Sequence, residues 1–391
     1  MAEATAPSYF NEALLRLLGP TDRQTSSLTH EQWQEIDRIA ADQRLQPHLH
    51  GRMQRGEIVP QVPGDIARNW SSAYRVNALA GLVQRRDLFS LTRALEGAGI
   101  ESIALKGAWL AWHAYPAPAE RVLRDIDLLV AEADAPSALE VLLAQGLKPI
   151  DPLPDDPEAF AAANKQFPPL VGDSGTVAEL HAHAWEPPGS MEWPTPPTRD
   201  AELLAHTQRN SSDGLGYLAP NDMLAHLAIH AAYSHRFEVG PLLLSDIDYL
   251  LRSSQIDWPE FWRKAGTGGY RRGGALTLAL VDHWRVPGLL KQAQCPLEVP
   301  LAAVSHASAL LLQPSAGRHD TRSFAAFEAA RTTGGLAKAA AVGFARLGKT
   351  VANPAHLIRR MAETAQAASS SRARKTAHSS AMIGQWLSEA G

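Results

Sequence analysis

The run 123–130, LRDIDLLV, constrains this chain more than any other segment. Two aspartates, Asp125 and Asp127, stand one residue apart among apolar neighbours. A strand has a side-chain period of two, so both carboxylates fall on one face while Ile126, Leu128 and Val130 pack the other. Like charges at adjacent positions of one face repel, and nothing in a protein core rewards that arrangement by itself. A divalent cation does. Magnesium takes oxygen ligands and is typically held by one or two carboxylates together with substrate phosphates. The run therefore predicts a strand whose acidic face meets a magnesium-bound nucleotide.

Around this strand the hydrophobic period changes twice. Residues 9–18 and 29–45 read as amphipathic helices, the second opening with Thr29 as cap and Glu31 in its first turn. A longer helix is expected over 66–95, broken at Gly81 and ended by Gly97 and Gly99. Short strands follow at 100–105 and 123–130, with a helix at 108–114 between them, then a helix at 135–144 and a third strand at 147–150. TVAELHAHA at 176–184 alternates as a further strand and places Glu179, His181 and His183 on one face. A loop with five prolines spans 185–197. Beyond Asn221 the pattern is helical over 222–235, 242–251, 258–264, 274–284 and 323–331. The expected architecture is α/β (α+β): a small mixed-sheet core at 98–200 flanked by helical portions at 1–97 and 201–368. A flexible or weakly helical tail follows at 369–391.

Composition narrows the function classes. A net charge of −4 over 391 residues argues against a general nucleic-acid-binding surface. Cys295 is the sole cysteine, so neither a disulfide framework nor a cysteine-based zinc site is expected. The N-terminal segment has no basic start followed by a long apolar stretch, and no run reaches membrane-spanning length. No membrane association and a cytoplasmic location are the expectations. Walker-type, GxGxxG and GxSxG elements are absent. HLAIH at 226–230 lacks the glutamate of a metalloprotease.

A strand ending in Lys106-Gly107, a helix, Tyr115, Arg121 and then DIDLLV resembles the uncharacterised nucleotidyltransferase family, a branch of the DNA polymerase beta-like superfamily. The resemblance extends to ELHAHAW, to LAPNDMLAHLAIHAAYSH and to SDIDYLL, covering roughly residues 95–251. It implies a nucleotidyltransferase core in which carboxylates hold magnesium or manganese against a nucleoside triphosphate. Asp125 and Asp127 carry over as metal ligands, and Glu179 as a third carboxylate that orients a metal or takes the acceptor's proton. Gly107 falls at the phosphate-facing turn, where a Cβ would obstruct approach. The wider superfamily has Gly-Gly or Gly-Ser there; in Lys106-Gly107-Ala108 the lysine supplies a charge instead of a hydroxyl.

Arg121 either clamps phosphate or pairs with Asp125. His181 and His230 are expected as polar side chains that support the metal-holding residues from behind, favoured over zinc ligation by the His181/His183 and His226/His230 pairs. Asp246 either bonds one of these histidines or lines a helix. Arg124 should point away from the aspartates, and Trp109, Trp112 and Trp185 should pack rather than stack a base. The acceptor implied is a peptide natural product or small molecule rather than nucleic acid. Two other readings are a toxin-like enzyme modifying RNA or protein, and a catalytically degenerate nucleotide-binding scaffold.

Overall fold

The aspartate-bearing run does form a strand, and it lies inside a five-stranded mixed sheet. In the computed structural model, which describes residues 9–25, 27–191, 193–314 and 371–388, the strands are β1 (Ile103–Ala104), β2 (Ile126–Leu129), β3 (Lys148–Pro149), β4 (Leu170–Val171) and β5 (Val177–His181). Their order is β1-β2-β5-β4-β3. Only β2 and β5 run parallel; the other neighbours are antiparallel. All four β2 residues are buried, as a near-continuous apolar strand with both faces covered should be. The strands are shorter than their sequence runs suggest, and Asp125 lies immediately before β2 rather than within it.

Four helices precede the sheet: α1 (Tyr9–Leu18), α2 (His30–Asp42), α3 (Gln46–Gln54) and α4 (Gly64–Gly97). Thr29 caps α2 as expected, and Gln32 closes a reciprocal capping box with it. Helix α3 has no counterpart in the sequence reading. Helix α4 corrects an expectation: it runs through Gly81 without a break for 34 residues, about 50 Å at 1.5 Å per residue. Added methyl at Gly81 would meet nothing within 4 Å, so the glycine serves no packing purpose there.

After β1 the chain turns into α5 (Gly107–Trp109) and a π-helical turn, Leu110–Ala114. Helix α6 (Ala135–Ala144) falls where the sequence placed it, whereas α7 (Pro157–Ala163) and β4 were not foreseen. Helix α8 (Asp200–Ala205) and a two-stranded ribbon, β6 (Gln208–Arg209) with β7 (Gly216–Tyr217), lead to α9 (Pro220–Ile229). A second π-helical turn, His230–Ser234, extends α9. Then come α10 (Leu242–Ser253), α11 (Trp258–Thr267), α12 (Arg271–Trp284), α13 (Leu289–Gln292) and α14 (Leu301–Leu311). The helix expected at 323–331 lies outside the described residues.

The segment expected to be loose or weakly helical contains an 18-residue helix, Ser371–Ser388. Small side chains let it lie close on α14: Ala377, Ala381 and Ile383 are buried, and His306 bonds Ser379 Oγ through Nδ1 at 3.1 Å. No described helix is long and apolar enough to cross a membrane.

Two hydrophobic clusters hold the described chain together. The larger joins the N-terminal helices to α9–α14, with Trp33, Trp70, Phe237 and Phe261 among its fully buried residues. The smaller packs α4 and α6 against the sheet through Leu91, Leu95, Leu139, Leu142, Leu128 and Leu180. Helix α4 contributes to both, with Ile66 and Trp70 in one and Leu88 to Leu95 in the other. It also supports the approach to β2, where Asn77 Nδ2 donates to the Ala119 carbonyl at 2.8 Å and Gln84 Nε2 to that of Leu123 at 3.2 Å.

Candidate functional site

Parallel pairing of β2 with β5 sets Asp127 directly across from Glu179. His181 stands two residues beyond Glu179 on the same strand face. One ligand atom from each of these three residues lies within 4.8 Å of the others. His181 is fully buried; its Nε2 is 2.9 Å from Asp127 Oδ1 and 3.6 Å from Glu179 Oε2. Ionised carboxylates only accept, so Nε2 carries the proton and donates to Asp127. Asp125 lines the same cavity from the residue before β2. The cavity holds about 530 Å³, within the range of small-molecule sites.

Two lysines face these carboxylates. Lys106 occupies the turn after β1 with φ +42° and ψ −106°, and its Nζ is 3.4 Å from Asp127 Oδ1. Lys165 is brought in by the bridge between Gln166 and His181, with its Nζ 3.7 Å from Glu186 Oε1. Sequence reasoning missed Lys165, which sits in an irregular segment with no periodic signal.

The electrostatics separate the acids. Burial alone would raise Asp127, but Lys106 and the His181 hydrogen bond hold it well below the usual carboxylate range. Glu179 is likewise lowered: burial opposes, and the interaction with the His181 ring 3.6 Å away prevails. Asp125 is pushed up to about 6 by burial and by the charges of Asp127 and Glu179. Lys165 is lowered by burial and by the Lys106 charge.

This donor set fits a hard divalent cation. Asp127 and Glu179 supply carboxylate oxygens to one point, Asp125 adds a third acid beside them, and its raised pKa marks an excess of negative charge that a cation would relieve. His181, already bonded through Nε2 to Asp127, has the geometry of a residue that orients a ligand carboxylate. Its other nitrogen has no hydrogen-bond partner.

The remaining expected residues are placed as follows. Arg121 pairs with Asp246 rather than Asp125, through Nε–Oδ1 at 3.1 Å and Nη2–Oδ2 at 2.9 Å. Asp246 therefore bonds no histidine; its other partner is the Tyr115 hydroxyl at 2.7 Å. Gly107 is required for packing: a Cβ there would come within 2.6 Å of Leu123 Cδ2 and 2.9 Å of Arg121 Nη1. His183 leaves the Glu179 face because β5 ends at His181, and it bonds Asp200 Oδ2 through Nδ1 at 2.8 Å. The H-x-H pair is thus divided between two sites.

His230 lines the cavity, its ring 4.4 Å from that of His235 and stacked on fully buried His226 at 6.1 Å. Burial, and then the Lys106 charge, hold both His226 and His230 well below the ordinary imidazole range, so both are neutral at pH 7. Arg124 joins the cavity lining, contrary to the expectation that it points away. The three tryptophans pack as expected: Trp185 is buried, Trp109 lies against the core, and Arg85 covers Trp112 at 4.0 Å.

Residues 29–285, more than half of the chain, match the model of a family described as uncharacterised nucleotidyltransferase. No curated protein matches the chain.

Proposed function

The chain belongs to the uncharacterised nucleotidyltransferase family, and from that premise we propose that it moves a nucleotidyl group from a nucleoside triphosphate to an acceptor nucleophile. The observation that carries this reading is the juxtaposition of Asp127 with Glu179 across the one parallel strand pair, with Asp125 beside them and two lysines opposite. Asp125, Asp127 and Glu179 would hold magnesium or manganese. Such an ion, when bound, neutralises phosphate charge and polarises the α-phosphate.

The protein's own groups do the rest. Lys106 and Lys165 attract the triphosphate tail into a partly buried cavity, where their charges are less screened than at the surface. His181 fixes the Asp127 carboxylate by donating Nε2–H to it. The Arg121–Asp246 pair, tied to Tyr115, packs behind Gly107 and holds the turn that carries Lys106. Neutral His230 forms part of the wall. In the transfer, a bond forms from the acceptor oxygen to the α-phosphorus as the bond from that phosphorus to its bridging oxygen breaks. The electron pair leaves with pyrophosphate, and the acceptor's proton passes to one of the three carboxylates. A net charge of −4 favours a peptide or small-molecule acceptor over nucleic acid.

Electron paramagnetic resonance of manganese tests this reading. Mn²⁺ should bind the wild type, and a nucleoside triphosphate should change the bound spectrum. Asp127→Asn and Glu179→Gln should each weaken binding at least tenfold. Equal manganese affinity in all three proteins would refute the assignment.

A further inference from the structure

Three guanidiniums line the carboxylate cavity, and their situations differ. Arg121 is neutralised by its paired bonds to Asp246. Arg44 and Arg124 are exposed at the rim, and among the described residues neither guanidinium has a hydrogen bond or ion pair. Two guanidiniums thus line the same cavity as Asp125, and neither is tied to a carboxylate among the described residues.

The backbone at Arg44 sharpens the point. Helix α2 ends in a Schellman motif, with Arg44 N–H bonded to the Ala41 carbonyl at 3.0 Å and Leu45 N–H to that of Ala40 at 2.7 Å. Arg44 occupies the left-handed position of this motif, with φ +56°. Glycine is the residue that this position favours, because a Cβ is strained there. An arginine held in that place beside a cavity, with no hydrogen bond or ion pair among the described residues, is better explained by what it binds than by the turn it makes.

Position in the cavity says which substrate group it binds. Lys106 and Lys165 lie on the Asp127–Glu179 side, and the charges acting most on Lys165 are Lys106, Glu186, Glu179 and Asp127. Those acting most on Arg124 are Arg44, Asp125, Arg121 and Asp42. Lys106 thus stands against Asp127 and Lys165 against Glu186, whereas Arg124 directly precedes Asp125 and Arg44 comes from the end of α2, so the lining carries two cationic pairs from different elements. In-line displacement puts the leaving pyrophosphate and the incoming acceptor on opposite sides of the reacting phosphorus. Resting on the nucleotidyltransferase reading above, we propose that Arg44 and Arg124 form a second anion subsite, separate from the one for the triphosphate tail, that receives a phosphate or carboxylate group of the acceptor. The acceptor is then an anionic molecule whose oxyanion is held by paired guanidiniums while its nucleophile faces the carboxylates.

The test uses the full chain, with O-phosphoserine and N-acetylglycine as phosphate- and carboxylate-bearing probes. Each is titrated calorimetrically into wild type, Arg44→Gly and Arg124→Gln, with and without a saturating non-hydrolysable nucleoside triphosphate and magnesium. At least one probe should bind the wild type whether or not nucleotide is present, and its affinity should fall at least tenfold in both variants. The probe that binds identifies the oxyanion. Arg44→Gly should melt no lower than wild type, since glycine suits the turn, which separates lost binding from lost folding. Binding of neither probe, or binding unchanged in the variants, overturns the subsite. A probe that displaces the nucleotide, with nucleotide affinity falling in both variants, overturns its assignment to the acceptor. Failure of the nucleotide to bind wild type would sink the nucleotidyltransferase reading and with it the acceptor assignment. The probe titrations without nucleotide still decide whether the anion subsite exists.

Discussion

Asp125 lies in the carboxylate cavity, one residue before β2, where burial and neighbouring charge act on it together. Its pKa of about 6 lies above the ordinary aspartate value because burial and two neighbouring carboxylates disfavour its charge. A folded-state value above the unfolded one gives stability that is present below the unfolded pKa and lost as pH rises through the folded pKa. Wild type without metal should therefore lose stability between about pH 4 and 6 relative to Asp125→Asn. At pH 7.5 the variant should be more stable by about 2–3 kcal/mol, at ~1.4 kcal/mol per pKa unit. Urea denaturation in a chelator, repeated across that pH range, checks both sign and size. Added magnesium should stabilise the wild type more than the variant. At this scale the sequence was most legible where one spacing brought two acids to one cavity, as with Asp125 and Asp127. It was least legible where a partner comes from far along the chain: Arg121 and Asp246 are 125 residues apart, and no local pattern marks their bond.

Among the elements, legibility followed apolar period rather than length. Helix α6 carries enough apolar period to be read to the residue, whereas β1, β3 and β4 have two residues each and no period at all. The break expected in α4 failed for a physical reason. One glycine in a helix costs about 1 kcal/mol against alanine, which is little beside the two hydrophobic clusters that this helix joins. Because a methyl at Gly81 would meet nothing within 4 Å, Gly81→Ala should raise stability by about 0.5–1 kcal/mol. Gly51 is the opposite case. A Cβ there would lie 2.2–2.5 Å from the Glu120 carboxyl group, which is buried and bonded to Arg55. Gly51→Ala should cost about 1–3 kcal/mol, since a held carboxylate cannot swing away. Both variants are decided by denaturant midpoints at unchanged slope.

Across the whole molecule, a buried polar network joins parts of the chain that sequence reading treated separately. His48 of α3 bonds Ser245 Oγ of α10 through Nε2 at 2.9 Å and lies 3.4 Å from Glu120 Oε2 through Nδ1. Arg285 bonds Asp248 at 2.7 Å behind it. Burial lowers the His48 pKa to about 4, with Arg285 and Arg52 adding to the effect and Glu120 opposing it. A depressed imidazole pKa gives stability that is present above the unfolded value and lost as pH falls through the folded one. Between about pH 6.5 and 4, wild type should lose on the order of 3 kcal/mol relative to His48→Gln. Acid titration of the two proteins, followed by circular dichroism, measures the difference. Nucleotide binding in the carboxylate cavity is the most direct test of the proposed function. ATP, GTP, CTP and UTP should be titrated calorimetrically into wild type and an Asp125→Ala/Asp127→Ala double variant, with and without magnesium. The account predicts magnesium-dependent binding of at least one nucleotide to the wild type and none to the double variant. Equal binding to both proteins, or binding indifferent to magnesium, would contradict it.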